Sequence, residues 1–480
     1  MLFSSITFLG FFLPIVIIIY FALPQRVYKN AVLLLASLLF YAWGEPKFVL
    51  LMVASILFNY NMGLIIADNK EHSRKILIFS ILVNLGLLFI FKYLGFSCKI
   101  INYIIGALHL KNLEEINLLL PIGISFYTFQ EITYLVDVYK EPYLSQRNVL
   151  NLGLYITFFP QLIAGPIVRY HDINQQIEKR RESFENLYIG FQRFILGLSK
   201  KVLIANNMAF VCDSIYDADI FSYGTVAAWI AAVSYALQIY YDFSGYSDMA
   251  IGLAKIFGFD LLENFNFPYA ATSITDFWRR WHISLTNFFR DYVYIPLGGN
   301  RKGPKRTVLY RIFVFFLTGL WHGASFNFII WGLLHGFSML IERFLKLDKK
   351  SKESKIFSAF YRISSLVIII LFWVLFRNGT KQTIKLYLKM FGINYSRFFT
   401  FHPVVSTALY WFNVDVKFYI ILATAVLFAF PWWKKIKLST NQAIQTVAAL
   451  LKSLALVTLL CLCFSFLANN TYNPFIYFRF

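Results

Sequence analysis

The run ILIFSILVNLGLLFIFKYLGFS, residues 76–97, decides the fold. A helix that crosses a membrane needs about 20 mainly apolar residues, and this run supplies them without a break. It lacks the apolar–polar alternation of a barrel strand, so it reads as a helix through lipid. The same kind of segment recurs on both sides of it, at 3–23, 31–43, 46–66, 118–139, 188–212, 225–257, 307–322, 324–345, 361–376, 417–433 and 444–468. Three further stretches, 99–117, 149–165 and 265–298, read as interfacial or re-entrant. The predicted fold is an all-α polytopic membrane protein of about 11–12 transmembrane helices, forming one integral-membrane domain over residues 1–480.

Composition agrees. Hydrophobic residues make up 58% of the 480 residues and charged residues 15%, with a mean hydropathy of +0.59. A soluble globular chain runs closer to 45–50% apolar and about 25% charged. Lys and Arg number 45 against 25 Asp and Glu, a net charge of +20. That excess does not point to nucleic acid, because it sits in short clusters between apolar segments: Arg26/Lys29, Lys70/Arg74/Lys75, Lys179–Arg181, Arg301–Arg306, Lys346–Lys355 and Lys434–Lys437. An even number of predicted spans separates each cluster from the next. All therefore fit one face, which the positive-inside rule makes cytoplasmic. The 53 Phe and 30 Tyr read as lipid-facing and interfacial side chains. Residues 3–23 are long for a signal-peptide core and end at Pro24-Gln25-Arg26 with no small-residue cleavage pattern, so a retained span is expected. The four cysteines form no C-x-x-C pair, and neither a disulfide framework nor a zinc site is expected. No repeat of 20–50 residues is visible.

Seven histidines are candidates for chemistry. His72 and His171 lie in polar loops and read as solvated. His109 and His402 flank apolar segments and read as interfacial, and His335 as packing. His322 differs. It stands in Thr318-Gly319-Leu320-Trp321-His322-Gly323-Ala324-Ser325, between two strongly apolar runs, where an ionisable residue is costly and marks function by default. Gly319 and Gly323 beside it permit close approach of a substrate or a backbone. An imidazole also has the proton affinity of a general base at neutral pH.

A second candidate is Asp276-Phe277-Trp278-Arg279-Arg280-Trp281-His282-Ile283-Ser284-Leu285. Read as one helix, it places Trp278, Trp281, His282, Leu285 and Phe289 on a single face and pairs Asp276 with Arg280. Two readings stay open for it. One is an interfacial amphipathic helix with a tryptophan belt. The other sets Arg279 and Arg280 near an anionic ligand and turns His282 toward a cavity. Asp242 and Asp248 either line a polar cavity or make interhelical hydrogen bonds, and Glu131 and Asp137 favour the second. There is no G-x-S-x-G elbow and no H-E-x-x-H, and Pro304 replaces the lysine of a P-loop, so nucleophile-elbow hydrolase, zinc-protease and P-loop readings find no support.

Taken together, these segments resemble the membrane-bound O-acyltransferase family. The likeness is carried by Pro121–Gln130 (PIGISFYTFQ), Phe158–Arg169 (FFPQLIAGPIVR), Tyr241–Gly252 (YDFSGYSDMAIG), Asp276–Leu285 (DFWRRWHISL), Asp291–Gly299 (DYVYIPLGG), Leu320–Ser325 (LWHGAS) and the tail Asn473–Phe480 (NPFIYFRF). Within the family it is similar to the bacterial polysaccharide branch: the membrane subunit of alginate O-acetylation, peptidoglycan O-acetylation proteins and the teichoic acid D-alanine transferase. The resemblance implies helices ringed around a central tunnel in a multi-pass protein of the bacterial cytoplasmic membrane. It implies His322 as the catalytic histidine and His282 as the second catalytic position. Substrate contacts are expected from Trp278, Arg279, Arg280, Trp281, Trp321, Asp242 and Asp248. No bound cofactor or metal is expected. Acetyl-CoA, or an acyl carrier, would donate from the cytoplasm, and the acetyl group would leave on the outer side to a polysaccharide, by way of an SGNH-type partner. Two other functions compete on the residues alone: a transporter or flippase for a lipid-linked sugar, and a scaffold that recruits an extracellular transferase through the aromatic tail.

Overall fold

The computed structural model describes residues 1–116, 118–218, 220, 223–393, 416–432, 441–469 and 472–476. His402, the cluster Lys434–Lys437 and the last four residues of the tail lie outside them. Long apolar runs satisfy their own backbone groups in lipid only as helices, and no β-strand occurs among the described residues. The chain opens with α1 (Leu13–Ala22), α2 (Arg26–Ala42) and α3 (Phe48–Asp68). α4 (Ser73–Leu88) and α5 (Leu94–Ala107) join through a wide π-type turn at Phe89–Tyr93 into one 35-residue rod. α6 (Ile124–Lys140) follows, then the short α7 (Val149–Thr157), α8 (Phe159–Leu162) and α9 (Tyr170–Glu178). α10 (Phe184–Ser199) runs on into α11 (Asn206–Tyr216), and α12 (Thr225–Ile256) is the longest uninterrupted α-helix. The remainder is α13 (Ile274–Trp278), α14 (Ile283–Phe289), α15 (Pro304–His322), α16 (Phe326–Phe344), α17 (Leu347–Glu353), α18 (Lys355–Arg377), α19 (Thr380–Met390), α20 (Val416–Phe428) and α21 (Gln442–Asn469).

Every one of the twelve predicted spans falls on one of these helices. Five are long and apolar enough to cross a membrane by length and composition: Phe48–Asp68, Ser73–Ala107, Phe184–Tyr216, Lys355–Arg377 and Gln442–Asn469. The 118–139 span begins later than expected. Pro121-Ile122-Gly123 forms a turn with Gly123 at φ +79°, and a Cβ there would lie 2.8 Å from the Leu162 carbonyl oxygen. Of the three stretches read as interfacial or re-entrant, 99–107 simply continues the α4–α5 rod. By contrast, 152–168 is buried throughout, and 265–298 folds into short helices and turns.

α12 is the central post. Its residues 234–250 are all buried, Ser, Gln and Asp included. Glycines let it meet α10 backbone to backbone: a Cβ on Gly197 would lie 2.6 Å from the Gly245 carbonyl. Small residues give membrane helices this close approach. The 32 residues of α12 reach about 48 Å, which separates two faces of the bundle. Near one end of α12, Arg180 bonds the Phe257 carbonyl and Arg26 pairs with Glu182. Asp68 pairs with Arg147 and Arg169 with Asp291 on the same face. Near the other end, Trp229 bonds the Met390 carbonyl at 2.8 Å, Arg377 pairs with Asp213 at 2.6 Å, and Asn473 bonds Ser4. Of the basic clusters, Arg26/Lys29 and Lys179–Arg181 meet at the Phe257 end of α12 through Glu182 and Tyr20; the 434–437 cluster lies outside the described residues.

Candidate active site

His322 is the last residue of α15. Gly323 leaves the helix with an extended φ of −177°, and α16 starts three residues later. The two helices then pack as a tight hairpin, because a Cβ on Gly319 would stand 2.3 Å from the Phe328 carbonyl and one on Gly332 2.3 Å from that of Phe315. Gly319 therefore serves a backbone approach, and Gly323 makes room for the Phe328 ring. The imidazole is buried, and its Nδ1 has no hydrogen-bond partner among the described residues. Trp321, Trp331 and Phe376 surround it edge-on, with ring centroids 4.9, 5.2 and 5.2 Å away. The indole N–H groups of Trp321 and Trp331 are likewise buried and unpartnered.

His282 reaches the same layer from a loop. The expected single helix over 276–289 does not form: α13 ends at Trp278, α14 starts at Ile283, and His282 between them takes a left-handed backbone with φ +46°. Such a conformation costs a non-glycine residue roughly 1–3 kcal/mol and clusters at functional sites. Asn264 holds the loop. Its Oδ1 accepts from Ser284 N at 3.1 Å and Ser284 Oγ at 2.9 Å, and lies 3.2 Å from His282 Nδ1. An amide oxygen only accepts, so neutral His282 carries its hydrogen on Nδ1. Trp321 bridges the two histidines, with its ring 4.9 Å from His322 and 5.8 Å from His282. Trp281 is buried against Trp373 at 4.8 Å. Trp278 donates from Nε1 to His335 Nδ1 at 3.2 Å, so His335 is bonded as well as packed.

Two larger cavities flank this aromatic layer. The one on the basic face is about 690 Å³ and is lined by Arg279, Arg280, Arg311, Arg343 and Lys346, against Asp276 and Glu342. Arg280 also pairs with Asp276 at 3.0 Å, as its spacing predicted. The other, about 420 Å³, reaches His322 and Trp321 from the opposite face and is lined there by Glu45 and residues 119–123. Asp242 and Asp248 line neither of these two cavities. Asp242 is ion-paired with Lys201 at 2.7 Å, both fully buried, and accepts from Ile476 N at 2.8 Å. Lys201 also bonds the Pro474 carbonyl, so the pair fastens the C-terminal tail into the bundle. Ile476 consequently touches a small void shared with His322. Asp248 is spent on Arg193 and Lys200.

Sequence reasoning passed over several residues. Lys92 lines the 420 Å³ cavity. A single lysine inside an otherwise apolar run was the available signal. His171 was read as solvated, but its Nδ1 lies 2.9 Å from Asp137, and Asp172 is 3.3 Å from its Nε2. These carboxylates raise its pKa to about 9. Asp137 also accepts from Tyr292 at 2.8 Å, so its expected interhelical role is filled. Among the described residues no group of three His, Cys, Asp or Glu is placed to hold a metal ion.

The profile of the membrane-bound O-acyltransferase family matches residues 141–347. A probable alginate O-acetylase of Pseudomonas putida is 40% identical over 399 residues, covering 82% of this chain and 80% of that protein. This chain belongs to the membrane-bound O-acyltransferase family. It is an O-acyltransferase and a membrane protein. A peptidoglycan O-acetyltransferase of Helicobacter pylori is 38% identical over 431 residues, covering 82% of this chain and 80% of its own length. A teichoic acid D-alanyltransferase of Bacillus subtilis is more distant, at 31% identity over 259 residues, or 49% of this chain and 62% of that one. The family match contains the α13–α14 loop, α15 and all of α16, and hence both His282 and His322.

Proposed function

We propose that this acyltransferase takes an acetyl group from acetyl-CoA at the basic face and delivers it across the bacterial cytoplasmic membrane for O-acetylation of a polysaccharide such as alginate or peptidoglycan. An SGNH-type partner outside the membrane completes the transfer. The observation that carries the reading is His322, buried at the junction of α15 and α16 with an unpartnered Nδ1 and within reach of a cavity from the opposite face. The basic face is cytoplasmic by the positive-inside rule. Its arginine-lined cavity suits the phosphates of the donor, since guanidinium groups bind them in bidentate fashion.

The attacking hydroxyl gives its proton to His322 as its oxygen bonds to the thioester carbonyl carbon. The C–S bond then breaks, and the thiolate leaves with the proton that His322 returns. No acyl-enzyme is needed. The unspent indole N–H of Trp321 is the donor best placed for the developing oxyanion. His282, held by Asn264, helps to orient the incoming groups. Trp278 and Trp281 wall the layer. The test is release of free CoA from acetyl-CoA by the purified protein, with and without candidate partners. His322→Ala is expected to abolish turnover while the protein stays folded, and His282→Ala to slow it about 100-fold. Equal turnover in wild type and His322→Ala would overturn the reading.

A further inference from the structure

A small void lies beside the His322 imidazole, inside the aromatic layer. It measures about 10 Å³, the room for roughly one water-sized group. Ile239 and Phe243 of α12, Trp281 of the α13–α14 loop, Trp373 and Phe376 of α18, and Ile476 of the C-terminal tail form the rest of its wall. A pocket walled by hydrocarbon side chains favours a hydrocarbon group over water. Both histidines border it. Phe376 stands edge-on to His322 at 5.2 Å, and Phe243 edge-on to His282 at 4.6 Å.

Most of this wall belongs to elements packed in the core of the bundle. Ile476 does not. It comes from the short segment after α21, which keeps its place through contacts with distant residues. Asn473 bonds Ser4 Oγ at 3.0 Å and accepts from Asn206 at 3.1 Å. The Phe475 ring lies 4.9 Å from that of Tyr246. The Pro474 carbonyl accepts from Lys201, and the Ile476 N–H donates to Asp242 at 2.8 Å. Lys201 and Asp242 are themselves a buried ion pair at 2.7 Å. One pair therefore grips the chain on both sides of Phe475 and fixes the register that puts Ile476 against the void.

We propose that this void seats the hydrocarbon end of the acyl group and that Ile476 limits the length of acyl chain the enzyme accepts, with Lys201 and Asp242 as the positioning residues that hold it there. This rests on the reading of His322 as the base. A thioester carbonyl attacked beside the imidazole must place its acyl substituent in adjoining apolar space, and the space present ends after one carbon. The bonds made and broken are those given above, O–C formed and C–S broken, and Ile476 changes neither. Its effect is on which donor reaches the imidazole in a reacting position. A pocket of this kind discriminates by roughly 10- to 200-fold for one added methylene.

The experiment compares release of free CoA from acetyl-CoA, propionyl-CoA and butyryl-CoA by the purified protein. Wild type is expected to favour acetyl over propionyl by about tenfold or more in kcat/KM, and over butyryl by more still. Ile476→Ala shortens the wall most, and its propionyl-to-acetyl ratio is expected to rise about tenfold or more. Ile476→Val shortens it less and should fall between. Because each ratio is taken within one preparation, loss of folded protein cancels. Phe475→Leu weakens the packing on Tyr246 without touching the void, and should lower the thermal midpoint while keeping the wild-type ratio. A ratio change in Phe475→Leu as large as that in Ile476→Ala would assign the effect to a loosened tail and overturn the proposal. So would an unchanged ratio in Ile476→Ala, or wild type that turns over propionyl-CoA as fast as acetyl-CoA. Failure of the base reading looks different: His322→Ala would then release CoA from acetyl-CoA as wild type does, whatever the ratio at Ile476.

Discussion

The two cavities on either side of the aromatic layer are built from opposite materials. The basic-face cavity is lined by six arginine or lysine side chains against two acids. The cavity on the other side holds one lysine, and its amino group is bonded to a backbone carbonyl and a hydroxyl. Many exposed cations give strong attraction with little discrimination, and salt screens them. One buried amino group already bonded to two partners attracts less from a distance. His322 lies between, where neither set of charges reaches it by a hydrogen bond.

The contrast can be broken at its centre first. His322→Ala should lower CoA release by about 1,000-fold or more in the purified protein, and a smaller loss would mean the two cavities do not meet there. Next in size is the anchor that holds the tail against the layer. Asp242→Asn leaves Lys201 buried and unpaired, at a cost of about 3–5 kcal/mol, read as a fall in the thermal midpoint. Replacing both partners with apolar residues of similar volume should recover most of that loss, and failure to recover would show that the tail contacts, not the ion pair, dominate. The basic cavity is tested by Arg279→Gln with Arg280→Gln, expected to raise KM for acetyl-CoA about tenfold with kcat little changed and with the effect shrinking at high salt.

The smallest effect concerns His171, at the edge of the basic face. Its pKa is raised to about 9, first by the hydrogen bond to Asp137 and then by that to Asp172. A histidine raised in this way contributes stability that is fully present below its unfolded value near 6.5 and is lost as pH climbs through about 9. The thermal midpoint of wild type should therefore drop between pH 7 and 9.5, and His171→Asn should flatten that slope. Because the side chain is 43% exposed, the drop should be small. An equal slope in the variant would assign the pH dependence to other groups.

Much of this was readable along the chain. The apolar runs located the helices, and His322 stood out as the one histidine between two strongly apolar segments. The reading failed where the backbone departs from regular periodicity or where partners come from afar. The 276–289 segment has helical spacing, but Asn264 bonds to His282 and Ser284 break it into two short helices with a strained residue between. Asp242 looked like a cavity acid because nothing near it in sequence announces Lys201 or the backbone N–H of Ile476, 234 residues away.

Hydropathy and charge spacing are local quantities, and they were enough to determine a helical membrane protein and to single out its central histidine; the family came from the resemblance of its motifs. Burial, capping and ion pairing are relations between distant residues. Lys92 meets Trp321 across 229 positions and His171 meets Asp137 across 34. Only the packed bundle could reveal that an intramembrane lysine caps the helix that ends in His322, or that His171 sits against two carboxylates, because desolvation and partner choice are set by what folds against a residue and not by what precedes it in the chain.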